Sequence, residues 1–133
     1  MFSPLPSYIL GTACIIRSLM ATFSPRAEYG HVGLPLERSE DQESKDKLGG
    51  GNVSPLMYFK AIREFSYGAT LVLLEYEGLE RAVTTFAAVL AVVRLVDGWI
   101  VWEFGEEEKK RAWGHWITGL GFVGWASWRW TRA

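Results

Sequence analysis

The sequence predicts an all-α fold, a four-helix transmembrane bundle that fills residues 1–133 as one domain. Three observations predict it. Four largely apolar segments follow one another at residues 5–23, 57–74, 82–102 and 113–130, and a helix needs roughly 20 such residues to cross a hydrocarbon core of ~30 Å. Over residues 82–93 nearly every position is apolar, so that helix is hydrophobic all round rather than along one stripe. Tryptophans gather at segment ends, as Trp99 and Trp102, Trp113 and Trp116, and Trp125, Trp128 and Trp130. An indole favours the headgroup level, where its ring is buried and its N–H stays wet. A soluble bundle with long core helices is the competing reading.

Each element follows from its residues. The first segment carries Arg17 as its only charge and is stopped by Ser24-Pro25. From there to Pro55 the chain is expected to be loop, with Pro35 and His31 as loop residues. Residues 37–54, charged and then rich in glycine at Gly49-Gly50-Gly51, read as flexible and solvated. Pro55 suits the first turn of the second helix, whose early part holds Lys60, Arg63 and Glu64. A tight turn with Gly78 leads to the third helix, which holds Arg94 and Asp97; His115 lies near the start of the fourth. Small residues recur at helical spacing, as in Ala87, Ala91 and Gly98, or Gly119 and Ala126. Such stripes let helices approach closely in lipid.

Composition bounds the chemistry. A net charge of -1 gives no sign of a nucleic-acid partner. Cys14 is the single cysteine, expected to be a packing residue, and His31 and His115 cannot build a zinc site alone. No metal and no cofactor is expected. The three glycines at 49–51 lack the Lys-Ser/Thr of a phosphate loop. No Lys or Arg precedes the first apolar run, which argues against a cleaved secretory signal. Lys and Arg then set orientation. Arg26, Arg38, Lys45, Lys47, Lys109, Lys110 and Arg111 outnumber Arg81, Arg129 and Arg132 on the other side. The larger loops are therefore expected in the cytosol and both termini in the lumen, with the endoplasmic reticulum as the membrane.

Placed by depth, the intramembrane charges fall in one layer. Arg17, Arg63, Glu64, Arg94, Asp97 and His115 all lie within about 3–12 Å of the cytosolic boundary at 1.5 Å per residue. Charges there must face inward and be paired or wetted. Arg94 and Asp97 are three apart and share a face, so they are expected to pair. Lys60 and Glu64 are four apart, and Tyr67 continues their stripe. Such a layer is either an ion-pair network that sets helix register or a pocket for a lipophilic small molecule. In the pocket reading Asp97, His115 and Glu64 transfer protons, and Arg63, Arg94, Arg17 and Tyr67 bind substrate. The arginines would be fixed cations aimed at developing negative charge.

Several motifs match a known pattern. Ser24-Pro25-Arg26-Ala27 followed by Gly33-Leu34-Pro35 resembles the SPRA…GLP signature of a family of small four-span integral membrane proteins of unknown function. Lys60-Ala61-Ile62-Arg63-Glu64 with Gly68 resembles that family's K-G-x-R-D…G pattern, with Ala61 in place of glycine and Glu64 in place of aspartate. Asp97-Gly98 and His115 match as well. The resemblance implies the four-span fold. Some fungal members are encoded among genes for polyketide or terpenoid metabolites, which implies an accessory enzyme or cyclase of secondary metabolism. Three functions compete: an acid–base isomerase, cyclase or dehydratase; a scaffold recruiting other biosynthetic enzymes; and a transporter, for which the chain lacks inverted repeats.

Overall fold

Prolines and glycines set the helix ends. The computed structural model describes residues 1–36 and 53–133, so most of the expected 37–54 loop lies outside the described residues. Five α-helices occur among them: α1 (Leu5–Phe23), α2 (Pro25–Val32), α3 (Leu56–Tyr76), α4 (Glu80–Phe104) and α5 (Ala112–Arg132). A 3-10 helix, Glu106–Arg111, joins α4 to α5. No strand occurs among the described residues.

α2 corrects the expectation of a loop after Pro25. A proline interrupts the hydrogen-bond ladder of α1 but is pre-shaped for the first position of a new helix, and Pro25 takes that position. Gly33, at φ 91°, closes α2 in the left-handed conformation, its N–H on the Tyr29 carbonyl at 2.9 Å. Ser54 lies just ahead of α3, and its buried backbone N–H donates to the Tyr29 hydroxyl at 2.9 Å.

The long helices pack antiparallel to their neighbours. α1 lies against α3 and α4 against α5, while α3 and α4 meet over fewer residues. Gly68 is where α1 and α3 come closest: a methyl there would strike the Gly11 carbonyl oxygen and approach Ile15 Cγ1 to 2.8 Å. Between α4 and α5 the small stripes interlock, with Ala87, Leu90, Ala91, Phe122 and Ala126 forming a buried cluster that Leu10 and Tyr67 cover. The Trp116 indole lies on Gly98, where a methyl would overlap its ring, and donates to the Leu95 carbonyl at 3.2 Å. α2 bridges the two pairs. Its Tyr29 packs with Ala21, Met57 and Ala61, and its Val32 with Val101 and Ala112.

α1 and α4 are long and apolar enough to cross a membrane. α3 and α5 have the length, but α3 carries Lys60, Arg63, Glu64 and Glu75, and α5 dilutes its aliphatic residues with glycine and tryptophan. The outer surface is nonetheless rich in large apolar side chains on all four long helices, including Ile9, Ile62, Val92, Ile117 and Leu120.

Candidate functional site

Helices α1, α2, α3 and α4 each contribute to one chain of ion pairs, Arg17, Glu28, Lys60, Glu64 and Arg94. Arg17 Nη2 donates to Glu28 Oε1 at 2.7 Å, and Lys60 Nζ donates to the same oxygen at 2.6 Å. Lys60 also reaches Glu64 Oε2 at 3.1 Å, one turn along α3. Glu64 Oε1 faces Arg94 Nη1 at 3.6 Å, an ion pair longer than a hydrogen bond. Beside this chain, Arg63 Nη2 donates to both oxygens of Asp97, at 3.1 and 3.2 Å.

Pairing therefore runs across the helices, which corrects the expected Arg94–Asp97 pair. Three-residue spacing puts both side chains on one face of α4, but α3 presents a cation to one and a carboxylate to the other. Arg63 takes Asp97, and Glu64 takes Arg94. Adjacent residues of α3 thus each engage α4.

Glu28 is the residue that sequence reasoning missed. Its side chain is fully buried and joins Arg17 of α1 to Lys60 of α3. Its Oε2 is buried without a hydrogen-bond partner. Burying a carboxylate is tolerable only when cations and donors surround it, and two cations do so here. The available signal was position. Glu28 is the one acid between the end of α1 and residue 36, and it directly follows the Ser-Pro-Arg-Ala motif.

A cleft of about 830 Å³ opens beside the ion pairs. Lys60, Arg63, Arg94, Asp97 and His115 line its polar side; Met57, Phe59, Ile100 and Phe104 line its apolar side, with Glu106 also at its wall. The expected site residues thus divide. Asp97, His115, Arg63 and Arg94 share the cleft. Glu64 is buried behind it, between Lys60 and Arg94. Arg17 is outside the lining, committed to Glu28. Tyr67 is outside too, its ring 5.9 Å under the Arg63 guanidinium and edge-on to Phe86.

His115 Nε2 lies 3.2 Å from the Val32 carbonyl oxygen. A carbonyl only accepts, so Nε2 carries the proton, and in the neutral ring Nδ1 is left with the lone pair. α2 therefore sets the histidine's tautomer as well as the position of Lys60. Cys14 is buried in α1. Among the described residues no three His, Cys, Asp or Glu side chains group as a metal site would require.

No curated protein and no solved structure matches the chain. The sequence itself matches a family over residues 11–129, a span that holds every member of the ion-pair chain and every charged residue of the cleft. The chain belongs to that family, described as Domain of unknown function (DUF4267).

Proposed function

We propose that the chain is an integral membrane enzyme that performs acid–base chemistry, without a redox cofactor, on a lipophilic molecule held in the cleft. The observation that carries the reading is the shared wall: a histidine with a lone pair on Nδ1, the Asp97 carboxylate and three cations line one cavity whose other side is hydrocarbon. His115 takes or gives the proton, Asp97 is the second acid–base group, and Arg63 and Arg94 hold a carbonyl or enolate oxygen. Glu64 orients Lys60 and Arg94 from behind. The reaction class is isomerisation, cyclisation or dehydration. Polyketide or terpenoid intermediates of secondary metabolism are the substrates that the family resemblance implies.

All four long helices lie in the bilayer in this reading. Support comes from the exposed apolar residues on α3 and α5 as well as α1 and α4, and from exposed tryptophans near helix ends, Trp99, Trp113 and Trp130. Both termini are luminal and the charged loops cytosolic, in the endoplasmic reticulum. Partners are the bilayer, the lipophilic substrate and other biosynthetic enzymes.

A second reading, a non-catalytic scaffold, is favoured by one observation: the carboxylates of Glu28, Glu64 and Asp97 are all engaged by cations, as a purely structural network requires. The test is expression in a heterologous host with and without the gene, beside its neighbouring biosynthetic genes, with mass spectrometry of the lipophilic extract. Catalysis predicts a changed product at unaltered levels of the other enzymes. An unchanged product would leave the scaffold.

A further inference from the structure

Charge is not balanced across the layer, and the surplus faces the cleft. Among the described residues Arg17, Lys60, Arg63 and Arg94 meet Glu28, Glu64 and Asp97, four cations against three carboxylates. Glu28 and Glu64 are buried away from the cleft, whereas Lys60 and Arg94 line it. The negative ends of these pairs are thus hidden and their positive ends displayed. Arg94 is held only loosely, at 3.6 Å. Arg63 spends Nη2 on Asp97 and leaves its Nε buried with no hydrogen-bond partner. Glu106 also lines the cleft, but it is exposed on the 3-10 helix, where water screens it.

We propose that the cleft takes an amphiphile with an ionised carboxylate head, bound by Lys60, Arg63 and Arg94, its hydrocarbon lying along Phe59, Ile100 and Phe104. The inference rests on the reading of this cleft as the substrate site, and it names the substrate class. A carboxylate supplies one negative charge, which matches the surplus, and two acceptor oxygens, which suit the unused guanidinium donors. A neutral ketone or ester accepts hydrogen bonds but leaves the surplus charge uncompensated. Phe59, Ile100 and Phe104 line the cleft while remaining exposed, so the cavity is open on an apolar side. The hydrocarbon enters there. The volume falls within the roughly 300–1,000 Å³ of small-molecule sites.

The test uses the full chain in phosphatidylcholine nanodiscs at pH 8. The probes are a long-chain fatty acid with a terminal diazirine and its methyl ester, with labelled peptides mapped by mass spectrometry after irradiation. The acid is expected to label residues 56–63 and 97–104 roughly tenfold more than the ester, the usual worth of a hydrogen bond to a charged group. Unlabelled fatty acid should displace it, and phosphatidylglycerol should not. Lys60→Met should remove the preference for the acid. Because that variant breaks ion pairs, Ile100→Trp provides a second arm. It fills the apolar side without touching the network and should block labelling by the acid. Equal labelling by acid and ester, displacement by phosphatidylglycerol, or label confined to the outer face of the helices overturns the proposal. His115→Gln should retain the acid preference. Product formation without acid preference overturns this inference alone, whereas acid binding without any product overturns the acid–base reading alone.

Discussion

The two ends of the helix assembly bury arginine in opposite ways. At the end near α2, Arg17 and Arg94 are held by glutamates that also hold Lys60. At the other end Arg129 of α5 is fully buried, and its partners are neutral. Its Nε donates to the Thr84 hydroxyl at 2.9 Å and its Nη2 to the Glu80 carbonyl at 3.1 Å; its guanidinium lies 4.4 Å over Phe2 and 5.5 Å from Trp125. The Glu80 carboxylate is turned elsewhere, accepting from the Phe2 backbone N–H at 3.3 Å. A diffuse, weakly hydrated guanidinium can be satisfied by dipoles and aromatic faces. A lysine ammonium is a compact charge and needs anions. The ionic end therefore depends on its carboxylates, and removing one strands cations. The neutral end has no single indispensable partner.

The sharpest way to break this contrast is to remove Glu28. Glu28→Ala leaves Arg17 and Lys60 facing each other across a buried site, and breaking a buried pair costs roughly 3–5 kcal/mol. Thermal unfolding of the detergent-solubilised protein should show a large loss, or no folded protein at all. Wild-type stability in this variant would show that the network is loosely held and that α2 does not organise it.

The Arg63–Asp97 pair comes next and separates the two pairing schemes. Arg63 is more exposed than Lys60, its side chain 41% accessible, so water can partly replace its partner. Asp97→Asn should cost about 2 kcal/mol, the worth of a hydrogen bond to a charged group. Arg63→Met combined with Asp97→Leu removes a whole pair and should recover stability. Arg94→Met combined with Asp97→Leu strands Arg63 and leaves Glu64 with Lys60 alone, and should be worse than either single change. Recovery by the Arg94 double mutant instead would restore pairing within α4.

What could be read from the sequence follows from the range of the interaction. The α1 segment, the all-round apolar α4 and the gathering of charges toward one end come from local composition, and the structure has α1 and α4 as membrane-length helices. α2 was not legible: eight residues with little apolar periodicity look like the loop that a Ser-Pro usually begins. Glu28 went with it, because its partners are 11 and 32 residues away. Partner choice between Arg63, Glu64, Arg94 and Asp97 depends on how α3 and α4 are rotated. That rotation is set by packing, through contacts such as Tyr67 on Phe86, and not by spacing within either helix. The sequence counts Arg129 only as a charge on the side opposite the larger loops; its burial, with Phe2 and Trp125 against the guanidinium, is not visible in that count. The neighbouring Trp125, Trp128 and Trp130 were the available hint, since aromatic faces are what an arginine without a carboxylate requires.

At the neutral end the expected effects are smaller because the load is shared. Thr84→Val keeps the shape of the side chain and removes the acceptor of Arg129 Nε. The loss should be about 1.5 kcal/mol, the lower range for a hydrogen bond to a charged group, since the Glu80 carbonyl and both rings remain. A loss as large as that of Glu28→Ala would mean that the neutral partners do not share the guanidinium. Equilibrium unfolding of both variants under one set of conditions provides the comparison.

The smallest effect on stability, and the one that bears most on chemistry, is expected at His115. Among the described residues its one side-chain hydrogen bond runs from Nε2 to the Val32 carbonyl. Glutamine has an amide N–H that can reach the same oxygen, so His115→Gln should cost no more than about 0.5 kcal/mol, as for surface substitutions that leave no buried group unpaired. What glutamine cannot do is exchange a proton near neutral pH. A histidine that only ties α5 to α2 is therefore replaceable, and a histidine that uses Nδ1 as the base is not. Product must be measured per unit of folded protein, because a change in expression imitates a loss of chemistry. Loss of product with stability intact makes His115 the proton-transfer group, and His115→Asn should then fail equally. Turnover near the wild-type level would place His115 with Arg129, as a side chain that holds helices together, and would remove it as the proton-transfer group of the cleft.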